Sequence, residues 1–292
     1  MPDQKTIRLL MPQWQGGNNP TYQLGARMLA WLAPPSKATL VEVPVATPED
    51  SSPVIEAGIF AKSALLRQTR SALEIIEREA PDRIVTFGGD CSVSLAPFAY
   101  LAAKYAGDVA VLWVDSHTDF STSEVYAFAH GYPMRNLLGE GDTEFAAFAA
   151  HPIPGQRLIF AGVGKAEMPE RTRQAIERVG ATVFDPTELT PGFSEVVASV
   201  RSTGASKLLV HFDLDVLDPN RFRAQLFNNP DGKLAEQFTG IARGKLSLDD
   251  VVAMLAHCGE AAEIVGLSIA EHLPWDAENL RHALARLPIL SG

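Results

Sequence analysis

The chain is poor in the features that would take it outside the ordinary globular class. It has 2 cysteines among 292 residues, Cys91 and Cys258. That is too few for a disulfide framework, so a reducing compartment is expected. No apolar run approaches the roughly 18 residues that a membrane span needs. The N-terminal Met1-Pro2-Asp3-Gln4-Lys5 carries no apolar signal core, and a cytoplasmic location is the expectation. Basic residues are in the minority: 25 Lys+Arg stand against 35 Asp+Glu, a formal net charge of −10. With no basic patch or tail, neither nucleic acid nor an anionic membrane is an expected partner. The balance suits a cationic small substrate, although solubility alone explains many acidic enzymes. No repeat, low-complexity tract or Pro/Gly-rich linker interrupts the chain, so residues 1–292 are expected to form one domain.

What is present is a 46% hydrophobic composition, arranged as short apolar runs that alternate with longer helical patterns. Strands are expected at Thr6–Met11, Leu40–Val45, Ile84–Phe87, Val109–Val114, Arg157–Ala161, Thr182–Phe184, Leu208–Phe212 and Ile264–Ile269. Helices are expected at Thr21–Leu32, Leu65–Glu79, Ser94–Tyr105, Glu170–Val179, Phe193–Ser202, Leu248–His257 and Ala277–Leu287. This alternation, with nearly continuous apolar strands, implies an α/β fold. The sheet should be mostly parallel, with about eight strands and helices on both faces. Ligands of such sheets bind beyond the carboxyl ends of the strands.

Two strand ends carry chemistry. Residues 108–120 read DVAVLWVDSHTDF, an apolar run entering Asp115, His117 and Asp119. If the backbone stays extended, this i, i+2, i+4 spacing projects all three to one face. Carboxylates converging at a buried strand end are costly without a cation. An Asp-rich loop capping the next helix is the plainer alternative, and His117 between the aspartates weighs against it. Residues 207–219, KLLVHFDLDVLDP, repeat the logic with Asp213 and Asp215. Asp218, before Pro219, reads as a turn cap. Four aspartates and one histidine form an oxygen-rich set suited to two divalent ions, with Mn²⁺ the expected metal.

Gly88-Gly89-Asp90-Cys91-Ser92, Asp115-Ser116-His117-Thr118-Asp119, His130-Gly131-Tyr132-Pro133, Asp213-Leu214-Asp215 and Glu271 occur in one order across most of the chain. In that order they resemble the motifs of the ureohydrolase family, which includes arginase, agmatinase and formimidoylglutamase. The resemblance implies an arginase-like fold in which Asp115 and Asp213 bridge two metal ions. Asp119 would serve the first ion, and His117 and Asp215 the second. It further implies that Glu271 pairs with a substrate guanidinium and that His130 moves protons. The implied reaction hydrolyses a guanidino C–N bond of arginine or Nω-hydroxyarginine, releasing urea or hydroxyurea. Agmatine, another guanidino or formimidoyl compound, or a metal-poor non-catalytic homologue are the alternatives. The partner implied is a small cationic guanidino substrate, and a homo-oligomer stays open.

Four departures from the family pattern matter. Cys91 stands where the family usually has histidine. As a thiolate it can ligate the first ion with more negative charge, or it can be a small turn residue. A cysteine there also resembles the hydroxyarginine-hydrolysing branch. His211 replaces a small hydroxyl residue and reads as hydrogen-bonding support rather than as a ligand. The loop Phe120–Ala129 lacks the family pattern for an α-amino acid head group and offers Ser121, Thr122 and Ser123 instead. Between Asp218 and Gly244 a longer segment brings Arg221, Arg223 and Asn228, the two arginines being candidates for a substrate carboxylate. Cys258 reads as core.

Overall fold

The computed structural model describes residues 4–231 and 240–287. Residues 1–3, 232–239 and 288–292 lie outside the described residues, and with them the start of the N-terminal segment and part of the stretch between Asp218 and Gly244. Strand β1 (Thr6–Met11) leads to helix α1 (Thr21–Leu32) and strand β2 (Thr39–Glu42). An antiparallel hairpin, β3 (Ile55–Glu56) and β4 (Ile59–Phe60), precedes α2 (Lys62–Glu79) and β5 (Arg83–Gly88). There follow α3 (Leu95–Lys104), β6 (Val109–Val114), the short α4 (Pro133–Leu137) and α5 (Thr143–Ala146), and β7 (Leu158–Ala161). Then come α6 (Glu170–Val179), β8 (Thr182–Phe184), α7 (Ser194–Ser202) and β9 (Lys207–Asp213). The described chain closes with α8 (Leu248–Ala261), β10 (Glu263–Ala270) and α9 (Trp275–Leu284).

The eight-stranded sheet has the order β2-β1-β5-β10-β9-β6-β7-β8, and every pairing in it is parallel. Strand β6 shows why its sequence is apolar throughout. Val109, Val111 and Trp113 enter one core with Leu65, Phe98 and Leu101 from α2 and α3. Ala110, Leu112 and Val114 enter the other with Val196, Val200, Val251 and Met254 from α7 and α8. Successive side chains point to opposite faces, so a strand covered on both sides has no polar positions to alternate. Cys258 is buried in that second core, as expected.

The eight expected strands all form, with ends displaced by a residue or a few. The hairpin and the short α4 and α5 are additions, because segments of two to five residues are too short to carry a hydrophobic period. No helix of the described residues is long and apolar enough to cross a membrane. The strand order sets β5, β10, β9 and β6 side by side. Their carboxyl ends therefore gather Cys91, Glu271, Asp213, Asp215 and the Asp115–Asp119 segment, although these are far apart in sequence.

Candidate active site

Strand β5 ends at Gly88, and a Cβ on the following Gly89 would stand 1.7 Å from the Gln13 carbonyl oxygen. Only glycine permits this approach. Asp90 then accepts from the Gly16 N–H at 2.9 Å, the Ser92 N–H at 3.0 Å and Gln13 Nε2 at 3.1 Å. This buried clamp starts the 3₁₀ turn Cys91–Ser94. The turn aims Cys91 Sγ at Asp213 Oδ2, 2.9 Å away, and at Glu271 Oε1, 3.6 Å away. Glu271 itself sits at φ 63, in the left-handed region, and its N–H donates to the Gly89 carbonyl at 2.7 Å. Strain of this kind persists where surrounding structure over-determines it, commonly at functional sites.

The aspartates converge by a route other than the extended spacing expected for them. Strand β6 stops at Val114. Asp115 Oδ1 then accepts the His117 N–H at 2.7 Å, and Asp119 takes φ 45. After β9, Asp213 Oδ1 accepts the Asp215 N–H at 2.7 Å and a 3₁₀ turn covers Leu214–Val216. In both segments a carboxylate closes a turn on the N–H two residues ahead, the local bond that favours aspartate at such positions. The turns, not strand alternation, bring the side chains together.

His117 Nδ1 lies 3.1 Å from Asp215 Oδ2 and 3.4 Å from Asp115 Oδ1. Trp113 Nε1 donates to Asp115 Oδ2 at 2.9 Å, and Ser116 Oγ donates to Asp215 Oδ1 at 2.7 Å. His130 Nδ1 is 3.1 Å from Glu271 Oε1, and its Nε2 is 2.9 Å from the Tyr126 hydroxyl. The buried Tyr22 of α1 donates its hydroxyl to Glu271 Oε2. Sequence reasoning missed Tyr22, Tyr126 and Trp113. For Tyr22, 249 residues from Glu271, no local pattern announces the contact.

Burial, reinforced by neighbouring carboxylates, pushes Asp119 and Asp213 well above the usual carboxylate range. Asp115 is raised to about 6 by burial and the charge of Asp215. Burial acts to raise Asp215 as well, but the charge of His117 together with side-chain hydrogen bonds, those of His117 and Ser116 foremost, outweighs it and holds that carboxyl at about 2. Burial acts to lower His117, but the charges and hydrogen bonds of Asp215 and Asp115 together overcome it and raise the imidazole well above the ordinary histidine value. Burial raises Glu271 and, with the aspartates, the Cys91 thiol; it lowers His130 to about 4, with His117 adding to the effect. Among the described residues, the cationic partner of Asp115 and Asp215 is His117 alone, while burial keeps His130, beside Glu271, neutral. His117 Nε2, Asp119 Oδ2 and His211 Nε2 are buried with no hydrogen-bond partner.

These orphaned polar atoms and crowded carboxylates fit divalent cations. Asp115, His117 and Asp215 offer ligand atoms within 4.8 Å of one another, as do Cys91, Asp115, Asp119 and His211. Asp115 belongs to both groups. A cavity of about 410 Å³ opens over them, with Glu271 and His130 in its lining and Ser121, Thr122, Tyr126, Arg135 and Arg171 on its walls. Ser123 does not line it. Arg221 and Arg223 are exposed and outside it, because the chain turns away on the Asp218 carbonyl, which accepts the Arg221 N–H at 2.9 Å. The cavity arginines are others.

The family model of the arginase family matches residues 49–255. Over 232 residues the chain is 27% identical to an N(omega)-hydroxy-L-arginine amidinohydrolase of Streptomyces lavendulae, covering 76% of this chain and 75% of that one. It is 27% identical over 199 residues to an arginase of Eremothecium gossypii, covering 65% of this chain but spanning only 46% of that relative. The solved arginase of Entamoeba histolytica, in complex with L-ornithine, superposes with a TM-score of 0.76 at 18% identity, over 94% of this chain and 93% of that one. The chain therefore belongs to the arginase family, metal-dependent hydrolases of linear amidines.

Proposed function

We propose that this protein hydrolyses the guanidino C–N bond of an arginine-like amino acid, arginine or Nω-hydroxyarginine, yielding ornithine with urea or hydroxyurea. One observation carries the reading: the cavity lined by Glu271 and the carboxylate cluster is also lined by Arg135 and by Arg171, the latter paired with Glu124 at 3.0 Å. A cationic head at one end and a carboxylate at the other is the charge pattern of an amino acid bearing a guanidinium. The likeness to the Streptomyces lavendulae hydroxyarginine amidinohydrolase supports the same substrate class.

In this reading Cys91 and Asp119 would hold a first ion, His117 and Asp215 would hold a second, and Asp115 and Asp213 would serve both. When bound, two divalent ions, Mn²⁺ by preference, supply Lewis acidity that lowers the pKa of water into the neutral range. Glu271 receives the guanidinium, whose planar fork suits two parallel bonds to a carboxylate. Tyr22 and the Gly89 carbonyl hold Glu271 in place. His130, between Glu271 and Tyr126, is the group placed to pass a proton to the departing amine. Thr122 Oγ1, buried without a partner, and Ser121 offer hydroxyls to the substrate head group. A free buried Cys91 suits a reducing cytoplasm.

The test is amine release with added Mn²⁺ from arginine, Nω-hydroxyarginine, agmatine and formimidoylglutamate. The two amino acids bearing a guanidino group should exceed agmatine in kcat/KM by at least about tenfold, since agmatine lacks the carboxylate that an arginine on the wall would meet. Preference for agmatine, or release from none of the four, would overturn the reading.

A further inference from the structure

The best-placed nitrogen in the site belongs to a residue that the motifs do not use. His211 is fully buried on β9. Its ring stacks on Trp113, with centroids 3.6 Å apart and planes 11° from parallel. Trp113 in turn donates to Asp115 Oδ2 at 2.9 Å, so one indole positions both the imidazole and a carboxylate of the cluster. The His211 Nδ1 has a partner, Ser94 Oγ at 2.8 Å, on the same 3₁₀ turn as Cys91. Its Nε2 has none. A buried imidazole nitrogen without a partner is costly, and here it lies beside thiol and carboxylates. The candidate ligand atoms of Cys91, Asp115, Asp119 and His211 all fall within 4.8 Å of one another.

We propose that His211 is a further ligand of the first metal ion through Nε2, joining Cys91, Asp115 and Asp119 beside the shared Asp213. The inference rests on the metal-centre reading above and deepens it. Ser94 acts in the way common for supporting partners of ligating histidines: by accepting the Nδ1 proton it selects the tautomer whose Nε2 lone pair is free. The donor chemistry also argues for it. Cys91, Asp115 and Asp119 each bring negative charge when they ligate, whereas a neutral imidazole adds coordination and no further charge. The alternative is an imidazole that only supports Trp113 or faces a trapped water in the polar row that Thr86, Ser268 and His211 make across β5, β10 and β9.

The test uses the whole protein with ¹⁵N-labelled histidine, loaded with ¹¹³Cd²⁺, and counts imidazole nitrogens coupled to the metal. Two coupled imidazoles are expected in the wild type, from His117 and His211. In His211→Gln one should remain. Competition titration of His211→Phe, which keeps a ring over Trp113, should show first-ion affinity reduced by more than the about 10–100-fold typical of losing a supporting partner. A wild type that binds two ions with one coupled imidazole overturns the assignment without needing a variant to fold. So does a second coupling that survives in His211→Gln. A wild type that takes up neither Cd²⁺ nor Mn²⁺ in equilibrium dialysis brings down the metal-centre reading itself, and this inference with it.

Discussion

Strands β5, β10 and β9 carry charged residues at both ends, and the two ends solve the problem differently. At the amino ends, Glu263 accepts from Arg83 Nε at 3.2 Å and from Lys207 Nζ at 2.5 Å. Bonds from Lys207 and then Arg83 hold its carboxyl at about 2. At the carboxyl ends, Cys91, Glu271 and Asp213 meet one another, and burial drives all three upward. One end is balanced by the protein's own cations. The other is balanced only in part, by His117, since His130 is held neutral by burial. A fold that keeps such a cluster at strand ends has built it for a cation from outside.

The strongest way to break this comparison is to remove the carboxylate common to both ligand groups. Asp115→Ala should lose both ions, and turnover should fall by about three orders of magnitude or more, since Lewis-acid stabilisation is worth several kcal/mol. Elemental analysis that finds two ions, with near-normal turnover, would refute a bridging role. Glu271→Gln is the next largest. It keeps the shape and removes the charge proposed to meet the guanidinium, so turnover should fall by about 10²–10³-fold with metal content unchanged. Metal loss instead would move Glu271 into the ligand set.

Cys91 sharpens the comparison further. Its sulfur faces Asp213 and Glu271. Cys91→Ser should lose the first ion preferentially and retain the second, because a neutral hydroxyl is the weaker donor. Cys91→His should retain both ions and move the alkaline rise of activity to lower pH, since one negative donor charge is gone. An unchanged stoichiometry and pH profile in Cys91→Ser would show that sulfur does not ligate.

The smallest effects are on stability, and the two strand ends should differ in sign. Asp115 is raised to about 6 in the folded, metal-free protein, against an ordinary 3.8. Between those values the folded state binds more protons than the unfolded state, so stability falls as pH rises through about 6. Glu263, at about 2 against 4.5, binds fewer protons when folded, so its contribution is present above 4.5 and fades as pH falls toward 2. Thermal melts of the metal-free protein should lose Tm from pH 4 to pH 6.5, the raised Asp115, Asp119, Asp213 and Glu271 together outweighing the opposite slope from His130 and His211, which burial lowers to about 4 and about 3, and Mn²⁺ should abolish that loss. Glu263→Gln should leave that slope and turnover intact and cost at most about 1 kcal/mol, as for a partly exposed ion pair. A metal-free protein equally stable across this range would break the contrast.

Much of this was legible before any coordinates. The β6 run VAVLWV announced a strand buried on both faces because each of its residues enters one of two cores. Asp213 and Asp215, closing a like strand, announced a site because buried like charges need a reason. The support around them was not legible. Arg221 and Arg223 looked like substrate contacts only because they are basic and near in sequence. The cavity took Arg135 and Arg171 instead.

By itself the sequence determined the sheet, the family and the residue types at each strand end, since hydrophobic period and motif order are local properties. Only the tertiary structure decided which of those residues meet. Strand order set β5, β10, β9 and β6 together. Turns at Asp115 and Asp213 replaced the expected alternation. Tyr22 reached Glu271 across 249 residues, and His211 was left with a buried nitrogen facing the cluster. Side-chain direction at the end of a strand depends on backbone turns and on packing from distant elements, and no local pattern encodes either.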